Sequence, residues 1–220
     1  MTHTPANADE GMVYIVDDDR SVRESLCTLL ESIGLRTTAF ESAQAFLDEY
    51  DPDVTGCAVV DARMPRLSGL ALQEQLGAMP GSIPVIILTG FPDVETAVES
   101  MKRGAFDYLQ KPIRDQRILD TVLRALEADR EAKAKYREIN SVSVRLRRLS
   151  PRERQVLVLV VEGATNKDIA AHLGITKRTV ELHRVHVMRK MRAGSLAELV
   201  GACTRFPDLL ESIRVDDLAE

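Results

Sequence analysis

Five short strand patterns punctuate the first half of the chain, near residues 13–16, 35–40, 56–60, 85–88 and 107–110, and those at 13–16, 56–60 and 85–88 are apolar runs. Each is strand-length, and between them apolar residues recur at helical spacing. Strands alternating with helices predict an α/β doubly wound parallel sheet of five strands. Beyond Leu119 the last helical pattern runs on through Glu127, Asp129, Arg130, Lys133 and Lys135, where charge alternates and large apolar residues are few. A solvated helical linker over 127–145 is expected there, breaking at Asn140-Ser141-Val142-Ser143. No further strand pattern follows.

The remainder reads as a small all-α domain over 146–210. Ser150-Pro151-Arg152-Glu153 joins a capping hydroxyl, Pro at the first helical position and a Glu placed to cap in return. Thr165-Asn166-Lys167-Asp168 starts a second, short helix that Gly174 ends. Thr176 starts a third, whose inner face is Val180, Val187 and Met191 and whose outer face is polar and basic, and Ser195 caps a fourth. Short helix, Gly turn and longer basic helix form a helix-turn-helix pattern, in which the longer helix can enter the major groove of DNA.

Charge sharpens this division. The net charge of −5 hides two segments of opposite sign: residues 1–140 carry 15 basic against 24 acidic side chains, and residues 141–205 carry 13 against 5. The first half would repel nucleic acid, whereas the second has the footprint of a phosphate-backbone binder. No apolar stretch approaches the roughly 20 residues that cross a bilayer, and the start Met1-Thr2-His3-Thr4-Pro5 lacks the basic and apolar regions of a signal peptide. A cytoplasmic protein without membrane partners is expected. Cys27, Cys57 and Cys203 are odd in number, far apart and set in apolar patterns, so they read as buried thiols. His183 and His186 stand three apart without Cys or acidic companions, which disfavours zinc; His172 is expected to pack near the turn.

The candidate chemistry lies where the strand patterns end. Asp17 and Asp18 follow the first run, Asp61 follows the third, Thr89 ends the fourth, and Lys111 precedes Pro112 after the fifth. In an open parallel sheet these ends converge on one crevice. Crowded carboxylates call for a cation, and an all-oxygen set suits Mg²⁺. With Asp17 and Asp18 on the metal, Asp61 can attack phosphorus as a nucleophile, while the Thr89 hydroxyl and the Lys111 ammonium hold phosphoryl oxygens.

Residues 11–126 resemble the receiver domain of two-component response regulators, which has a flavodoxin-like fold. The resemblance implies that Asp61 is phosphorylated, that Asp18, Asp61 and the backbone carbonyl of Arg63 bind Mg²⁺ with Asp17 acting through water, and that Thr89 and Tyr108 form a conformational switch, Tyr108 being open to the plainer reading of a half-buried strand aromatic. It departs at Phe91-Pro92, where relatives often carry His-Gly; bulky Phe91 is expected to hinder the hydrolytic water. The basic segment resembles the LuxR-type DNA-binding domain in Leu149-Ser150-Pro151-Arg152-Glu153, Asn166-Lys167-Asp168-Ile169-Ala170 and Thr179-Val180-Glu181-Leu182-His183-Arg184. That resemblance places Lys177, Arg178, Thr179, Glu181, His183 and Arg184 on or beside the recognition surface. Arg178 and Arg184 are open to two roles, reading guanine edges or holding phosphates.

Together the matches resemble the FixJ/NarL family, of the FixJ-like branch. They imply a transcription regulator with no enzymatic turnover of its own. Its implied partners are a sensor histidine kinase, promoter DNA, RNA polymerase and, on phosphorylation, a second copy of itself. Two rivals use the same residues. A Mg²⁺-dependent phosphatase or phosphotransferase would want an acid at position 63, where Arg63 stands, and turnover of a phosphate ester would reveal it. A phosphorylation-controlled module could instead offer its basic domain to protein or RNA; salt-sensitive, sequence-selective duplex binding would remove that reading.

Overall fold

The computed structural model describes residues 11–91 and 93–216, with side chains to 211. The readings made for residues 1–5 and for Pro92 fall outside this range. The chain divides into one compact unit up to Ala134 and a second from Lys135.

In the first unit, strands β1 (Met12–Val16), β2 (Arg36–Phe40), β3 (Gly56–Asp61), β4 (Val85–Thr89) and β5 (Asp107–Gln110) form one sheet in the order β2-β1-β3-β4-β5. All four pairings are parallel. Helices α1 (Arg20–Glu31), α2 (Ala43–Glu49), α3 (Gly69–Gly77), α4 (Val94–Lys102) and α5 (Asp115–Arg147) make the connections. Every residue of β3 and β4 is buried, as both faces of a central parallel strand must be. Period-two alternation feeds two core layers. Tyr14, Val16, Val60 and Ile87 pack with Phe46, Leu72 and Leu76 on one side; Val13, Ile15, Val59 and Ile86 pack with Leu30, Ile118 and Val122 on the other.

Two expectations for the linker are corrected. Asp129 is 2% exposed and accepts a 2.8 Å hydrogen bond from the backbone N–H of Gly56 at the start of β3. Lys133 pairs with Asp129 at 3.0 Å and donates to the carbonyl of Val54 at 2.6 Å. The sheet thus grips α5 beyond residue 126. A charged stretch that reads as solvated carries a buried anchor, because its backbone partner lies 73 positions away in the sequence. Nor does the helix break at 140–143; it continues to Arg147, since Val142 and Leu146 are buried in the core of the second unit and that packing outweighs weak local propensity.

The second unit consists of the end of α5 with α6 (Pro151–Val161), α7 (Asn166–Leu173), α8 (Lys177–Met191), α9 (Leu196–Thr204) and α10 (Pro207–Asp216). The reciprocal caps form at Ser150/Glu153 and Thr165/Asp168, and Gly174 ends α7 at φ 64°, a left-handed conformation that glycine adopts at least cost. Val156, Leu157, Ile169, Val180, Val187 and Met191 meet in its core. Helix α10 has no counterpart in the sequence reading. His172, expected to pack near the turn, is exposed: it stands beyond the edge of the α7 face that Ile169 and Ala170 bury. The three cysteines are unpaired thiols; burial pushes Cys57 up and Cys203 to about 11, so neither is a thiolate at neutral pH.

Candidate functional site

Reversal of strand order between β1 and β3 opens a crevice at their carboxyl ends. Asp17 leaves β1 and Asp61 ends β3, and both are buried. Lys111, just past β5, reaches between them: its Nζ lies 2.6 Å from Asp17 Oδ2 and 2.6 Å from Asp61 Oδ1. The second oxygen of Asp61 accepts from the Arg63 N–H at 2.7 Å, and that of Asp17 from the Asp19 N–H at 2.9 Å. Thr89 ends β4, buried, and its Oγ1 accepts from the Phe91 N–H at 3.1 Å. Asp18 is exposed beside this set.

Three groups thus share one ammonium-bridged site with an excess of negative charge. Burial raises the Asp17 carboxyl above its ordinary value even though Lys111 donates to it. For Lys111, burial works to lower the ammonium, but hydrogen bonds to Asp17 and Asp61 outweigh it and hold it above its ordinary value. Protons therefore stay on Lys111, and a further cation would relieve the carboxylates. Among the described residues no three His, Cys, Asp or Glu side chains form a closed metal cage. Mg²⁺ does not require one, because it usually keeps several waters and takes one or two carboxylates.

Sequence reasoning missed two participants. Gly69 opens α3 so close to the site that a Cβ there would stand 2.1 Å from the Asp61 carbonyl oxygen. The Ser68-Gly69 pair signals a helix start but not this contact. The Arg63 side chain, to which the sequence assigned no contact, has its guanidinium 5.0 Å from the centroid of the ring of Phe91, a residue 69% exposed.

Tyr108 is half-buried on β5, and its hydroxyl is buried with no hydrogen-bond partner among the described residues. An unsatisfied buried hydroxyl costs about 1–3 kcal/mol, which loads this conformation against another that solvates the ring's tip. Tyr108→Phe is therefore expected to raise the unfolding free energy of the unphosphorylated protein by about 1 kcal/mol. Urea denaturation checks this, and an unchanged or lower midpoint would remove the loaded-hydroxyl account.

In the second unit, Lys177, Arg178 and Glu181 are exposed on α8, whereas Thr179, His183 and Arg184 are half-buried. Thr179 shares a 2.8 Å hydroxyl contact with Thr176, and Arg184 donates to Asn166 of α7 at 2.9 Å. His183 Nδ1 is buried without a partner among the described residues. The six named residues thus split into an outward group and a group turned toward the neighbouring helix and turn. Glu153 positions α8 from below: 4% exposed, it takes Lys190 Nζ at 2.5 Å, with His186 Nδ1 at 3.7 Å. Burial acts to raise its carboxyl, but Lys190 and Ser150 outweigh that and hold it below the usual range. Leu182 and Val185, which nothing in the sequence singles out, are 56% and 62% exposed on the same helix.

Comparisons with known proteins agree with this division. Residues 13–123 match the family model described as response regulator receiver domain, and residues 147–202 match that of bacterial regulatory proteins, luxR family. Nodulation protein W of Bradyrhizobium diazoefficiens is 46% identical over 198 residues, 90% of this chain and 87% of that protein. The transcriptional regulatory protein FixJ of Azorhizobium caulinodans is 49% identical over 188 residues, covering 86% and 89% respectively. Among solved structures, the response regulator StyR aligns with TM-score 0.83 at 40% identity, over 88% of this chain and 98% of that one.

Proposed function

This chain belongs to the two-component response regulators of the FixJ/NarL family, a receiver joined to a LuxR-type DNA-binding domain, and we propose that Asp61 is the phosphoacceptor through which it is switched. The observation that carries the proposal is Lys111 bridging Asp17 and Asp61 at the strand ends. A sensor kinase's phosphohistidine supplies the phosphoryl group. An Asp61 carboxylate oxygen forms the new bond to phosphorus as the P–N bond breaks, and the electron pair leaves with the imidazole. Lys111 then turns from the carboxylates to a phosphoryl oxygen. Thr89, whose Oγ1 already accepts from Phe91, donates its own proton to another. Asp17, Asp18, Asp61 and the Arg63 carbonyl would hold Mg²⁺, which supplies neutralising charge for the incoming anion.

Movement of Thr89 and Lys111 toward the phosphoryl group draws Tyr108 with it and shifts the receiver's population. On α4, Val94, Val98 and Met101 are 81%, 47% and 48% exposed, an apolar face that supports pairing with a second copy after phosphorylation. The paired chains would place two α8 helices on half-sites of promoter DNA. Action in the cytoplasm and contact with RNA polymerase accompany this role, and the chain works by binding, without turnover of a substrate. No helix among the described residues is long and apolar enough to cross a membrane. The receiver body is proposed to span 11–126 with its anchor extending to Lys133, and the DNA-binding domain 146–210 with the end of α5.

The test is selection of random duplex DNA by the full chain, with Mg²⁺ and beryllofluoride or with neither. A motif enriched only with the mimic, together with dimerisation by sedimentation, is expected. Enrichment of no motif in either condition would favour a protein- or RNA-binding module. For Phe91, stacked beneath Arg63 beside the site, Phe91→Ala is expected to shorten the lifetime of the phosphorylated state several-fold, read as loss of radiolabel; an unchanged rate would dismiss steric protection.

A further inference from the structure

The exposed face of α8 is not uniformly charged. Residues 178, 182, 185 and 189 follow the i, i+4, i+7, i+11 spacing of a single helical stripe, and all four are exposed. The stripe reads Arg178, Leu182, Val185, Arg189: two aliphatic side chains between two guanidinium groups. Leu182 and Val185 line one shallow depression with Thr176, Arg178, Thr179 and Glu181. Single exposed aliphatic residues are ordinary on any surface, but an adjacent pair, each more than half exposed on a helix that is otherwise polar outward, is not accounted for by the core.

Several groups that could read bases through polar contacts are engaged elsewhere. Arg184 is held by Asn166, Thr179 by Thr176, and His183 is half-buried. The middle of the face therefore has aliphatic carbon to offer. In the major groove the matching feature is the C5-methyl of thymine, the one apolar group on a base edge there. Arg178 and Arg189, with Lys177 alongside, carry the charge that complements the flanking phosphates and seats the helix.

We infer that Leu182 and Val185 are specificity-determining residues that read thymine methyl groups in the major groove of duplex DNA, bracketed by phosphate contacts from Arg178 and Arg189. The inference rests on the proposal that α8 enters DNA and adds which base feature it recognises.

The test replaces each thymine of the selected motif, one at a time, by deoxyuridine, which removes only the methyl. Binding is measured with the full chain, Mg²⁺ and beryllofluoride. At the contacted positions the wild-type chain is expected to bind about fourfold more weakly per methyl lost, the effect of removing one buried CH₂-sized group. Leu182→Ala or Val185→Ala should abolish that penalty at its own thymine and leave the slope of affinity against salt unchanged. Both positions are exposed, so the variants are expected to keep the wild-type circular dichroism melt. A motif without thymine in the contacted steps, or a deoxyuridine penalty that is absent in the wild type or persists in both variants, overturns the inference while leaving sequence-selective DNA binding intact. Failure to enrich any motif removes both together.

Discussion

Asp61→Asn is expected to incorporate no phosphate above background from either a kinase or a small phosphoryl donor, and to remain monomeric under conditions that dimerise the parent chain. Asn has nearly the shape of Asp, but its neutral amide is a poor nucleophile and a weaker partner for a hard cation. Lys111 keeps its 2.6 Å contact with Asp17, so the crevice retains its bridge. Removing one of two crowded carboxylates also relieves repulsion, and in the absence of Mg²⁺ the variant should unfold no earlier than the parent. That second readout separates lost chemistry from lost structure. Labelling that persists in Asp61→Asn would move the acceptor elsewhere.

Gly69→Ala is expected to do the converse, leaving every reactive group in the sequence but displacing them. A Cβ at this position would sit 2.1 Å from the Asp61 carbonyl oxygen and 3.0 Å from Val60 Cγ1. The nearer obstacle is backbone, which cannot rotate away, so the end of β3 or the start of α3 must move. Overpacking of this kind costs about 3 kcal/mol, and the turn that must move carries both Asp61 and the Arg63 N–H bonded to it. The urea midpoint should fall, and phosphorylation by a small-molecule donor should slow in the protein that remains folded. A midpoint equal to the parent's would show that the approach of α3 to β3 is looser than the geometry describes.

How much of this was legible in the chain depended on the range of the interaction involved. The central strands β1, β3 and β4 stood out because buried parallel strands are near-continuous apolar runs, and the sequence positions of β4, Val85–Thr89, and of the edge strand β5, Asp107–Gln110, match their patterns to within a residue. Caps were equally visible, since Ser150 and Glu153 meet across three positions. The acids, Thr89 and Lys111 could be grouped because topology alone brings strand ends together. What stayed hidden were contacts with no local sign: Asp129 with Gly56, Gly69 against Asp61, and the Arg63 side chain over Phe91. On α8 the basic pattern directed attention to charged residues, although tertiary partners had already claimed Arg184. The expected break at 140–143 failed for a related reason, because Asn140 and Ser141 are weak helix formers held in register by Val142 and Leu146.

The anchoring of α5 has a consequence for where the chain can be cut. The receiver's hold on this helix reaches Lys133, and burial in the second unit resumes at Val142. Across 134–141 all residues except Ile139 are exposed, and Glu138 makes only a surface ion pair with Arg205. Two turns of helix with so little packing have marginal stability of their own. Their amides should exchange with deuterium well before those of β3 or α6, and a protease working at low concentration should open the chain there first, releasing two fragments that each keep a complete core.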